Sequence, residues 1–209
     1  MTRAAAIKDG YTTGARTLAT RSVGGLARTR ITPNALTASG VLLCLVASVL
    51  VLFEHPHRLL FFWLAAAVFV VGSLLDILDG ALARAGGKTT PFGGFLDSTT
   101  DRISEGFMLT AIAYVLATHH HPIFVAVVMA AVAGSFLVSY TRAKAEALGL
   151  RGDVGIGSRA ERVVVITAGL VLAPWGALGW AIALLACTAW VTVAQRVLHV
   201  RKQLMEAST

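Results

Sequence analysis

The sequence predicts an all-α integral membrane protein: six transmembrane helices preceded by an interfacial amphipathic helix. Three observations carry this fold class. Hydrophobic residues make up 56% of the chain, charged residues only 14%, and the mean hydropathy is +0.73, far towards the membrane end of protein composition. Long apolar runs recur, separated by short connections rich in Gly, Pro or His. The cations sit almost entirely on alternate connections, as the orientation rule for membrane helices requires.

Residues 1–31 carry Arg3, Lys8, Arg16, Arg21, Arg28 and Arg30 against the single acid Asp9, with Leu18, Val23, Leu26 and Ile31 interleaved. This basic juxtamembrane segment reads as an interfacial helix on an anionic leaflet. The net charge of +7 therefore points to membrane lipids and orientation, not to nucleic acid. No cleavable leader is expected, because the first apolar run begins only after these residues and no small-residue cleavage site follows it. Cys44 and Cys187 lie singly in apolar stretches and read as packing residues.

Residues 32–209 form the six-helix domain. Thr32-Pro33-Asn34 opens span one, which runs apolar from Leu36 to Phe53; Pro33 suits a first helical turn. After the Glu54-His-Pro-His57 connection, span two covers Leu59 to Ala85, and the breaker-rich stretch to Pro91 is a loop. Span three begins near Phe92 and ends before His119. His119-His120-His121 is expected to be a plain loop, since three adjacent residues cannot share a helix face. Span four covers Pro122 to Leu148 and Gly149–Ser158 is a glycine-rich loop. Span five runs from Arg159 to Ala173, Pro174-Trp175-Gly176 turns the chain, and span six runs from Leu178 to Val200. Trp63, Trp175, Trp180 and Trp190 fall near span ends, as interfacial belts do. With the N-terminus inside, 17 of the 18 Lys and Arg are cytoplasmic and only Arg58 lies outside. Both termini are then expected in the cytoplasm of a cell-membrane protein.

The chemistry is concentrated between Asp76 and Asp101. Asp76, Asp79, Gly80 and Ala83 share one helix face, and Gly93, Asp97 and Asp101 step by four along the next helix. Four carboxylates in an apolar setting cannot all stay ionised without cations, and hard oxygen donors with no Cys or His nearby favour Mg²⁺ or Mn²⁺ over zinc. Two such ions would nearly neutralise the cluster. Gly80 and Ala83 clear a helix face for close ligand approach, and Arg84 adds a planar cation suited to phosphate. Metals, arginine and a stripped helix face together fit a diphosphate held for transfer. A cation transporter would spread its acids along a path across the bilayer, whereas these cluster at one depth.

Asp-x₂-Asp-Gly-x₂-Ala-Arg-x₈-Gly-x₃-Asp-x₃-Asp, met in full from Asp76 to Asp101, resembles the signature of the CDP-alcohol phosphotransferases. The resemblance implies CDP-diacylglycerol as donor, CMP as leaving group and a two-metal site. It implies Asp76, Asp79, Asp97 and Asp101 as metal ligands, with Asp101 also the general base. It places Gly80, Arg84 and Thr90 at the nucleotide, together with Asn34, Ala35, Leu36 and Thr37 from span one. Thr37 and Thr90 read equally well as helix or turn caps.

The acceptor is read from the basic stretch Ser139 to Asp153, the Arg159-Ala-Glu-Arg162 run, and Arg196 inside an otherwise apolar span. An arginine so placed usually faces a cavity. This part is similar to actinobacterial phosphatidylinositol phosphate synthases, implying inositol 1-phosphate as acceptor, with Ser139, Arg142, Arg159 and Arg196 at its phosphate, and a homodimer. Glycerol 3-phosphate is the alternative acceptor. Against it stands Ser98-Thr99-Thr100, where bacterial glycerophosphate enzymes usually carry Pro after the third Asp.

Overall fold

The computed structural model describes residues 33–207 apart from Pro56 and Lys88. The expected interfacial helix of residues 1–31, and Thr32 at the opening of span one, lie outside the described residues. Among those described there is no strand. Six α-helices follow one another among the described residues: α1 Pro33–Leu52, α2 Arg58–Ala85, α3 Pro91–Thr118, α4 Pro122–Ala147, α5 Arg159–Leu172 and α6 Leu178–Ala207, with a 3₁₀ turn at Ala173–Trp175. Most of their limits fall within a residue or so of the apolar runs.

Four of these helices, α1, α2, α4 and α6, are long and apolar enough to cross a membrane. The sequence expectation of six spans goes further. The helix α3 has 28 residues, but Asp97, Asp101 and Arg102 lie in its first half and Glu105 opens the second. The helix α5 has only 14 residues, about 21 Å at 1.5 Å per residue, against a hydrocarbon core of about 30 Å. At the other extreme, α6 runs seven residues past the expected Val200. Lys202 and Glu206 face each other one turn apart at 3.7 Å, and Gln203 is engaged by a loop backbone, which favours continuing the helix.

Helix ends follow local rules. The helix α4 closes in a Schellman motif: Leu150 N–H reaches Ala145 O at 2.9 Å and Gly149 N–H reaches Glu146 O at 3.0 Å, with Gly149 at φ +73°. The end of α3 repeats the motif with His120 in the left-handed position at φ +57°, His121 N–H bonding Leu116 O and His120 N–H bonding Ala117 O. The histidine triplet thus lies beyond the last helical residue, Thr118, in the short connection to α4, as the loop expectation had it. Its first member nevertheless has a partner, the fully buried Glu54, which also meets Arg58 Nε at 3.2 Å. Ser158 and Glu161 form a capping box at the start of α5, with Ser158 N–H 2.6 Å from Glu161 Oε2.

The chain divides into two compact units. The first comprises the residues up to Leu43 and Val71–Ile103. Its small apolar centre is Leu36 against Leu82, flanked by Leu75 and Ala81. Within it α1 and α2 approach closely: a Cβ on Gly40 would lie 2.9 Å from Gly72 O and 3.5 Å from Asp76 Cβ. Only a glycine fits there.

The second unit, Cys44–Val70 with Ser104–Thr209, holds the larger core, with Phe62, Met108, Leu109, Ile112, Ile166, Leu170, Ile182 and Leu185 fully buried. Trp63 Nε1 donates to Val171 O and Trp190 Nε1 to Ala130 O, both at 3.1 Å, so these two indoles tie helices together. All four tryptophans nevertheless keep an exposed face, Trp175 and Trp180 the most.

Candidate active site

In the first unit the signature residues converge. Asp76 is buried, Asp97 and Asp101 are half-buried, and one carboxylate oxygen of each lies within 4.8 Å of the others. The spacing that predicted this is simple: Asp76 lies towards the C-terminal end of α2, while Asp97 and Asp101 are one turn apart on α3. Oxygens on one Mg²⁺ at about 2.1 Å stand about 3–4.2 Å apart, so this donor set suits a hard divalent cation with little adjustment.

The fourth acid behaves differently from the other three. Asp79 is buried, and its Oδ2 accepts a hydrogen bond from Thr37 Oγ1 of α1. It lines an adjacent cleft instead of joining the group of three. Thr37, in the second turn of α1, thus anchors the carboxylate. Thr90 is a helix cap, since Thr90 Oγ1 accepts from Gly93 N–H at 3.0 Å at the start of α3.

The cleft measures about 390 Å³. Asn34, Thr37, Gly80, Arg84 and Thr90 all line it, as do Asp79 and Asp97. The sequence placed Ala35 and Leu36 there too. Ala35 is exposed and outside the lining, and Leu36 turns away to pack on Leu82, because consecutive helical residues point about 100° apart. Thr89, Gly94 and Leu96 are lining residues that sequence reasoning missed. The stripped face at Gly80 has a visible purpose: a Cβ there would stand 3.3 Å from Arg84 Nη1, so the guanidinium folds back over the glycine towards the cleft.

A 390 Å³ cleft with an arginine, small residues and carboxylates for hard cations can hold a nucleotide-sized diphosphate. The family model described as CDP-alcohol phosphatidyltransferase matches residues 30–194. The chain belongs to this family. Among similar CDP-alcohol phosphatidyltransferases is the archaetidylinositol phosphate synthase of Pyrococcus horikoshii, 38% identical over 180 residues, covering 86% of this chain and 88% of that protein. The phosphatidylinositol phosphate synthase of Mycobacterium tuberculosis is 38% identical over 180 residues, covering 82% of this chain and 80% of its own. A crystal structure of the Mycobacterium tuberculosis enzyme with CDP-DAG bound superposes with a TM-score of 0.76 at 30% identity, covering 88% of this chain and 94% of that one. A second, in complex with manganese and citrate, gives 0.76 at 32% identity over 87% and 88%.

The second unit holds the residues assigned to the acceptor. Arg196 is buried on α6, with Nε donating to Val154 O at 2.9 Å and Nη1 to Val138 O. Its Nη2 has no hydrogen-bond partner among the described residues. The charges acting on it are Arg142 and Arg162 of like sign and Glu146 and Asp153 of opposite sign. Ser139 follows Val138 and is half-buried, while Arg142 is exposed and reaches Glu146 Oε1 at 2.8 Å. Arg159 is half-buried at the first turn of α5. Arg162, which the sequence places in the basic run read for the acceptor, is buried and paired with Glu105 at 2.9 Å.

Proposed function

We infer that this CDP-alcohol phosphatidyltransferase transfers the phosphatidyl group of CDP-diacylglycerol to inositol 1-phosphate. The observation that carries the reading is the convergence of Asp76, Asp97 and Asp101 beside a cleft lined by Gly80 and Arg84. Asp76, Asp79, Asp97 and Asp101 would hold two Mg²⁺ or Mn²⁺ ions, which neutralise the diphosphate and offset leaving-group charge. Asn34, Thr37, Gly80, Arg84 and Thr90 hold the CDP portion. Asp101 takes the proton from the attacking hydroxyl, whose oxygen bonds to the lipid-side phosphorus. The P–O bond to CMP breaks, and its electron pair leaves with CMP. Ser139, Arg142, Arg159 and Arg196 hold the acceptor's phosphate, a dianion that gives up strong hydration and needs fixed cationic donors in return. The names of both relatives support an inositol phosphate product.

The test is an acceptor and donor panel with purified protein and Mg²⁺. Inositol 1-phosphate should be the preferred acceptor, and free inositol should be poor because it lacks the phosphate. If glycerol 3-phosphate outcompetes inositol 1-phosphate, the acceptor assignment falls while the phosphotransferase chemistry stands. The archaetidylinositol relative gives a specific reason to include a CDP-activated ether lipid. If that lipid turns over faster than CDP-diacylglycerol, the donor assignment is wrong.

The same reading has all six helices crossing the cell membrane, as a homodimer with the carboxylates at the cytoplasmic side. Support comes from the cation distribution, with Arg58 alone outside. A cysteine at His120 should label from outside intact cells and one at Lys88 should not. The reverse pattern would invert the orientation.

A further inference from the structure

The loop between α4 and α5 is a strap fixed at several points. Arg151 N–H and O bond the two ends of the Gln203 amide, both at 2.9 Å. Gly152 lies so close to α4 that a Cβ would stand 3.1 Å from Arg142 Cα. Val154 O receives Arg196 Nε. Gly155 sits at φ +120° with a built Cβ 2.4 Å from Thr192 Cγ2, so only glycine lets the strap lie this close to α6.

Gly157 is held on both of its polar groups. Its N–H donates to Thr192 Oγ1 at 2.8 Å, and its carbonyl accepts from Arg162 Nη1 at 3.0 Å. Arg162 is in turn fixed by Glu105, with Nε 2.9 Å and 3.2 Å from the two carboxylate oxygens. Glu105 and Arg162 are both more than nine-tenths buried. A buried ion pair is a weak source of stability, because the desolvation of both ions offsets their attraction, and its best-attested use is to fix a register. Here the register fixed is that of the strap. The carbonyl that sets the plane of the Arg196 guanidinium, Val154 O, is three residues from Gly157.

We propose that Glu105 and Arg162 are positioning residues for the acceptor: through Gly157 they hold the Val154 carbonyl so that Arg196 keeps Nη2 directed to the acceptor's phosphate. This rests on the reading of Arg196 as an acceptor-phosphate ligand. Arg162 itself is not an anion ligand, since Glu105 neutralises it and Gly157 O takes a further donor.

The test is steady-state kinetics on the full-length enzyme with CDP-diacylglycerol and inositol 1-phosphate. Glu105→Gln should raise the acceptor KM about tenfold, as for one misaligned charge-assisted contact. The KM for the CDP-lipid should stay within about twofold, since that substrate is held elsewhere. Glu105→Gln with Arg162→Met removes both ions and leaves no lone buried charge, so it should fold and show the same acceptor defect. In an Arg196→Ala background, Glu105→Gln should add no more than about twofold, because the two residues act through one contact.

Full additivity, an equal rise in both KM values, or a folded double variant with wild-type acceptor KM would overturn the proposal. If Arg196→Ala raises acceptor KM but the Glu105 variants do not, only the strap proposal falls. If Arg196→Ala leaves acceptor KM unchanged, the acceptor reading falls and the strap proposal with it.

Discussion

Asp97→Asn should leave a folded membrane protein with turnover reduced at least about a thousandfold, since divalent cations at such a site supply several kcal/mol and each 1.4 kcal/mol is about a factor of ten. Asp97 is the residue to change because it belongs both to the three converging carboxylates and to the cleft lining. The substitution keeps the side chain's shape while removing a metal-binding charge. It also relieves repulsion among like charges, so the metal-free variant should be no less stable than the parent. A second readout separates metal loss from other damage. Mg²⁺ should raise the thermal midpoint of the parent, because a ligand at a hundredfold its Kd stabilises by about 2.7 kcal/mol, and that rise should shrink in the variant. Near-parental turnover in Asp97→Asn, or an undiminished Mg²⁺ shift, would mean that the cations are not held as described.

The helices and the carboxylates were legible in the sequence because both signals are periodic. Apolar runs bounded by Pro, Gly and His gave most element limits to within a residue or so, and steps of three and four gave the shared faces. What periodicity cannot give is the partner on a neighbouring helix. Asp76 and Asp79 look equivalent on paper, yet only Asp76 joins Asp97 and Asp101, while Asp79 takes a hydrogen bond from Thr37 on α1. Gly40 is one glycine in an apolar run until Gly72 is found against it. Glu105 continues the four-residue step beyond Asp101 and could have been singled out on spacing alone. Its partner Arg162 could not, since an arginine facing an anionic acceptor and one buried against a glutamate are written identically. Length decides less: α5, at 14 residues, is shorter than a hydrocarbon core, so reading it as a span rests on the alternation of cations along the chain.

Arg196→Ala should raise the KM for inositol 1-phosphate about ten- to hundredfold, the equivalent of one charge-assisted contact of roughly 1.5–3 kcal/mol. The residue is buried inside α6, and two of its three guanidinium nitrogens are committed to the carbonyls of Val154 and Val138. Those carbonyls carry no net charge, so they leave the positive charge of the guanidinium unneutralised, with Nη2 still to place a hydrogen bond on an anion. Arg196→Lys should recover little, since an ammonium cannot hold two carbonyls in the plane of the fork and also present a donor to phosphate. The loss of two backbone partners could in principle weaken the enzyme without any role in recognition. Discrimination between acceptors separates these cases: a phosphate contact matters for inositol 1-phosphate and not for free inositol, so the preference between them should shrink in Arg196→Ala. A general loosening would slow both acceptors alike and leave their ratio unchanged. An unchanged ratio, or full recovery by lysine, would remove Arg196 from the acceptor site and return it to a purely structural role between α4, the strap and α6.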